Sequence, residues 1–134
     1  MSNKTTGITN LEQLIKNMEP VLNSGEYVFT TVKNLSNIPR EVTICEMQEA
    51  EGTTIVLSKE NAIQLGLAFE FIASWITLNV HSSLEAVGLT AAFAKALGDN
   101  NISCNVIAGY YHDHIFVDTK DEAKAINLLR EMSL

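Results

Sequence analysis

Two short stretches of this chain carry side chains that can bind a ligand or move a proton. The first is His81-Ser82-Ser83-Leu84-Glu85, which leads into Val87-Gly88-Leu89. An imidazole, two hydroxyls and a carboxylate precede a glycine at which a helix is expected to start. The first turn of a helix has N–H groups without partners and the positive end of the helix dipole, a seat for a carboxylate or phosphate. Gly88 has no Cβ, so backbone or ligand can come close there. Glu85 is the natural partner for a ligand ammonium group. Ser82-x-x-Glu85 also has the spacing of a capping box, and on spacing alone that plainer reading is favoured.

The second stretch is Tyr110-Tyr111-His112-Asp113-His114. On a strand His112 and His114 point one way and Asp113 the other. With His81 they would supply three metal ligands and a metal-dependent enzyme. But Ile115 and Val117 are expected to face a core, which puts His112, His114 and Phe116 together on the opposite face. A polar-aromatic contact face explains that pattern without a metal. The sequence shows no clear fourth ligand, no C-x-x-C pair, no nucleophile elbow and no Walker glycine pattern. We therefore expect no catalytic residue, no metal and no cofactor.

These groups need a frame. Thr9-x-x-Glu12 has capping-box spacing, and Leu11, Leu14, Ile15 and Met18 form one apolar stripe. A helix is expected over residues 10–18, ended by Pro20. Residues 26–32, β-branched and aromatic, read as a strand. Residues 41–47 and 53–57 read as a hairpin around Glu51-Gly52, after which Ser58 caps a short helix closed by Gly66. Residues 69–80 read as one long strand, apolar on both faces and so covered on both, with Phe69, Phe71, Ala73 and Trp75 on one of them. A helix over 87–97 has almost no polar face beyond Thr90 and Lys95, which predicts burial all round. Residues 102–108 and 112–117 are expected to pair across Gly109-Tyr110-Tyr111. Thr119-x-x-Glu122 then opens a last helix striped with Ala123, Ile126, Leu129 and Met132.

The order is αβββα followed by βαββα. The second half is a ferredoxin-like βαββαβ unit short of its last strand. A strand from the first half, at about 26–33, would complete it and interleave the two halves.

With the elements in place, residues 69–134 resemble an ACT domain. Val87-Gly88-Leu89 stands where that family has Pro-Gly-Leu. Ala96-Leu97 followed by Asn101-Ile102 resembles its passage from helix to strand, and Phe93 and Val106-Ile107 fill its core positions. The chain is similar to the paired ACT modules of aspartate kinases and to small bacterial proteins made of ACT modules alone. The resemblance implies an α+β fold of two ferredoxin-like halves with antiparallel sheets, an N-terminal half at 1–67 and a C-terminal ACT domain at 68–134. It also implies a small-molecule ligand, usually an amino acid, held between two modules. Carried over by position, the contacts are Ser82, Ser83, Leu84, Glu85, Val87, Gly88 and Leu89, with Ser103 and Asn105 opposite. Val87 replaces the family's proline, and the loop before Gly88 is long.

Composition bounds the partners. The chain has 134 residues, nine basic against sixteen acidic, and a formal net charge of -7. No basic stripe is left to meet nucleic acid or an anionic membrane. Hydrophobic residues make up 46 % of the chain, which excludes a disordered protein. The segment before Asn10 has no apolar stretch of signal-peptide type, and no run approaches a membrane span, so a cytoplasmic protein is expected. Cys45 and Cys104 read as buried free thiols. The expected function is a non-catalytic amino-acid sensor that acts through a regulated protein partner or through its own assembly into a dimer or tetramer. The alternatives are the metal-dependent enzyme on His81, His112 and His114, and a purely structural assembly module.

Overall fold

A computed structural model describes residues 10–80 and 86–134. The chain runs α1 (Leu11–Asn17), β1 (Pro20–Val32), a 3-10 turn (Arg40–Val42), β2 (Thr43–Gln48), β3 (Thr53–Ser58), α2 (Lys59–Gln64) and β4 (Ile72–Leu78). It continues α3 (Leu89–Gly98), β5 (Asn105–Ala108), β6 (Asp113–Asp118), a second 3-10 turn (Thr119–Asp121) and α4 (Glu122–Met132). These elements fall into two compact units, one made of Met1–Asn23 with Trp75–Leu134 and one of Ser24–Ser74.

In the first unit the strand order is β1-β4-β6-β5. The opening of β1 takes the place of the strand that the second half of the sequence lacks. Asn79 N–H donates to Glu19 O at 2.7 Å, and the Asn23 side chain donates to Trp75 O at 3.2 Å. The strand beside β4 is thus residues 20–23, upstream of the 26–33 segment expected to fill that role. The core joins Ile76 and Leu78 of β4 with Ile115 and Val117 of β6, under Leu89, Phe93 and Leu97 of α3 and Ile126 and Leu129 of α4. Burial of each such side chain contributes about 1.5–3 kcal/mol.

Helix α1 adds Leu14 and Met18 to this core and lies beside α3. Its start is capped by Asn10, whose side chain accepts from Gln13 N–H at 3.0 Å. Its end is held by the Ser133 hydroxyl, 2.7 Å from Ile15 O and 2.8 Å from Met18 O. The turn from α3 to β5 uses Asn101 at φ 66°, with Ile102 N–H donating back to Leu97 O at 3.0 Å. Asparagine tolerates that left-handed position and so ends the helix.

Three expectations change here. Only Leu89, Phe93 and Leu97 of α3 are buried, while Thr90 and Ala91 are exposed. A methyl costs little in water, so an alanine-rich helix need not be covered on every side. Phe116, expected to face outward, is 0 % exposed because it stacks on Trp75 at 6.0 Å between ring centres. The start of α4 is not a capping box. The Asp118 carboxylate accepts from Lys120 N–H at 3.0 Å, so a 3-10 turn forms first and α4 begins without a side-chain cap.

In the second unit the order is β2-β3-β1. Strand β1 pairs antiparallel with β3 from Tyr27↔Ser58 to Val32↔Thr53. The β2–β3 turn closes through Glu49 and Gly52, which exchange backbone hydrogen bonds at 2.9 and 3.3 Å. Ser58 caps α2 by accepting from Asn61 N–H at 3.1 Å. The core is Val28, Ile55, Leu57 and Ala62, with Val32, Leu35, Leu65, Phe69 and Ile72 packed on it. Phe69 therefore works in this core, outside any strand, and β4 is shorter than the expected 69–80.

Candidate functional site

The start of α3 is the first candidate. Gly88 is its N-cap residue, at φ 105° and ψ -21°, with no side chain to cap the helix. Ala92 N–H closes the first turn on Gly88 O at 2.9 Å. A Cβ on Gly88 would lie 3.0 Å from Leu11 Cδ2. So the backbone conformation favours glycine here, and the Leu11 side chain of α1 would have to shift to admit a Cβ. Val87 is 83 % exposed, and Leu89 is buried in the core. Leu89 therefore packs the fold, and its side chain is not presented to solvent. His81, Ser82, Ser83, Leu84 and Glu85 lie outside the described residues.

Ser103 and Asn105 are exposed at the start of β5. The Asn105 amide donates to Phe116 O at 3.2 Å, across the register pair Asn105↔Phe116. The other end of the β5–β6 pair, at Ala108↔Asp113, leads into the turn that Gly109 N–H closes on His112 O at 2.9 Å. His112 Nδ1 lies 3.4 Å from Val80 O, so this tip meets the end of β4. Among the described residues no hydrogen bond joins Ser103 or Asn105 to the Val87–Leu89 segment.

A polar cluster that the sequence only half revealed crosses the first unit's sheet on the face of His114. Trp75 Nε1–H donates to His114 Nδ1 at 3.0 Å, and Thr77 Oγ1 lies 3.1 Å from the same nitrogen. Thr77 Oγ1 in turn accepts from the Asn23 amide at 3.0 Å. An Nδ1 that accepts from an indole has no proton, so the neutral ring carries its proton on Nε2. The alternation of β6 pointed to His114 and Phe116. Asn23 was missed because Asn-Ser-Gly reads as a turn.

The charge of His114 is set by its surroundings. Burial lowers its pKa below 6.5, His112 lowers it further, and Asp113 opposes both. Burial raises the pKa of Asp113, against the pull of His114 and His112. For His114 the unfolded chain takes up a proton first as pH falls. Its contribution to stability is therefore complete above ~6.5 and is lost as pH falls from there through the lower folded-state pKa. We expect the fluorescence of the single tryptophan, Trp75, and the denaturant midpoint to change together over that window. His114→Gln should remove this step; an unchanged profile in the variant would count against the assignment. Cys45 and Cys104 are free thiols, half-buried rather than buried as expected, and partial burial pushes the pKa of Cys104 up to about 11, which keeps it protonated at neutral pH. Among the described residues no group of three His, Cys, Asp or Glu side chains is placed to hold a metal. His114 Nδ1 is occupied by Trp75 and Thr77.

Comparison with known proteins adds the family context. Two family models, each described as an ACT domain, match residues 6–74 and 70–131. A Vibrio cholerae protein of unknown function, described as a possible transport protein, is 48 % identical over 92 % of this chain and 96 % of its own, with a TM-score of 0.83. An Agrobacterium tumefaciens protein has a TM-score of 0.71 at 16 % identity, over 87 % of this chain and 89 % of its own. The ligand-free regulatory subunit of aspartate kinase from Thermus thermophilus has a TM-score of 0.60 at 7 % identity, over 84 % of this chain and 95 % of its own. A comparison with curated proteins gave no match. No helix among the described residues is long and apolar enough to cross a membrane.

Proposed function

The chain belongs to the ACT-domain family, and from that premise we propose that it is a non-catalytic cytoplasmic regulator that binds an amino acid. The observation that carries this reading is the pair of ACT-domain matches spanning nearly the whole chain. The structural likeness to an aspartate kinase regulatory subunit supports it, as the same fold in a regulatory subunit. The ligand's carboxylate would meet the first N–H groups of α3 near Gly88, and its ammonium would meet Glu85. Ser82, Ser83, Leu84 and Val87 would line the approach, and Ser103 and Asn105 would serve from an opposing module.

A protein of this kind acts through something else, either a regulated partner or its own assembly. By linkage, whatever a partner does to ligand affinity the ligand does equally to partner affinity.

A thermal-shift screen with the twenty amino acids tests the reading. A ligand present at one hundred times its Kd stabilises the folded state by about 2.7 kcal/mol, a readily measured rise in Tm. For the amino acid so found, Glu85→Ala is expected to weaken binding by about 1.5–3 kcal/mol in calorimetry, the range for a hydrogen bond to a charged group. If none of the twenty raises the Tm, the amino-acid reading is wrong.

A further inference from the structure

The Ser24–Ser74 unit has a cleft of its own, of about 460 Å³, bounded by Ser24–Tyr27 of β1 and by the Ser58–Ile63 stretch that holds α2. It is an open groove, roomy enough for a small molecule but not enclosing one. Three features of its lining are unusual for plain surface. Gly25 sits inside a strand at φ 98°, a conformation that side chains rarely adopt, and the Tyr27 ring lies over it, 3.6–3.9 Å from where a Cβ would stand. The Tyr27 hydroxyl donates back to Ser24 O, which holds the ring as a wall beside Gly25. Ile63 of α2 is 59 % exposed at this cleft, an apolar side chain that the unit's core does not use.

The charges are placed over this apolar floor. Lys59 Nζ lies 3.3 Å from Glu26 Oε1, and Glu60 adds a second carboxylate. The pair is only partly buried, with side chains 35 % and 48 % exposed, so little is lost when it opens. Lys59 has three N–H donors and each carboxylate several acceptor positions, more than the pair itself consumes. An anion alone would meet two carboxylates, and a cation alone would compete with Lys59. A molecule bearing both charges satisfies both sides. We propose that this cleft is a second binding site, for a small zwitterion with an apolar arm: the ligand carboxylate on Lys59, its ammonium on Glu26 and Glu60, and the arm against Ile63 and Tyr27.

The site is separate in sequence from the one at Gly88, and backbone amide NMR tells them apart. The probe is L-leucine, with 4-methylpentanoate and 3-methylbutylamine as analogues that each lack one of its charges. Leucine is expected to shift the amides of Ser24–Tyr27 and Ser58–Ile63 saturably. Each one-charge analogue should bind at least tenfold more weakly, as should leucine to Lys59→Gln or Ile63→Ser. Shifts confined to Ala86–Thr90 would overturn this proposal while supporting the reading at Gly88. Shifts confined to the cleft would support this proposal and show only that leucine is not the ligand at Gly88. An amine that binds the cleft as tightly as leucine would overturn the zwitterion assignment. So would the absence of any saturable shift there at millimolar leucine. The wild-type spectra decide the matter if a variant does not fold.

Discussion

Replacing Phe93 by alanine is expected to destabilise the protein by about 3–5 kcal/mol. Phe93 is fully buried on α3, in one core with Leu14, Met18, Ile76, Leu78 and Leu97. Its removal takes away apolar area and leaves a cavity that β4 and β6 cannot close without shifting. Against a total stability of about 5–15 kcal/mol this is a large fraction, and the urea midpoint should fall accordingly. Ala91→Glu, on the exposed side of the same helix, should change stability by less than about 0.5 kcal/mol. The contrast also bears on assembly. A second subunit seated on that face would make Ala91→Glu costly and would dissociate the protein in light scattering. A Phe93→Ala protein as stable as wild type would mean that α3 is not where it is described.

Much of this arrangement was legible in the residues. The β-branched runs around Glu51-Gly52 gave the β2–β3 hairpin, and Ser58 was readable as the cap of α2. The alternation in β6 put Ile115 and Val117 in the core. What escaped depends on partners distant in sequence. Strand β1 begins at Pro20 and runs through Asn23-Ser24-Gly25, residues that strands ordinarily avoid. The strand forms there because Glu19 O accepts from Asn79 N–H and the Asn23 side-chain amide donates to Trp75 O, while Gly25 takes a φ of 98°. Phe116 was assigned outward by alternation, correctly as to face, but nothing local shows that Trp75 covers it. Thr119 lost its capping role to its neighbour Asp118, a competition between adjacent side chains that spacing rules do not resolve.

The glycine at the start of α3 shows the same limit at the candidate site. Its presence was legible, and a close approach was the expected reason. The approaching group in the structure is Leu11, from the other end of the chain. Gly88→Val is therefore expected to destabilise the fold by about 2–4 kcal/mol, from a strained backbone and from overpacking against α1. The two causes can be separated. Leu11→Ala opens the space above Gly88 but leaves φ at 105°. In a double-mutant cycle, Leu11→Ala should recover part of the loss caused by Gly88→Val, with a coupling of roughly 0.5–3 kcal/mol, while the backbone part remains. Independent, additive effects would place Leu11 away from Gly88. A Gly88→Val protein that melts with wild type would remove the steric argument altogether. Ligand binding by the variant is informative only at temperatures where it is folded. There, loss of amino-acid binding in Gly88→Val but not in Leu11→Ala would assign the helix start itself to the ligand, because only the valine changes the backbone that presents the first N–H groups of α3.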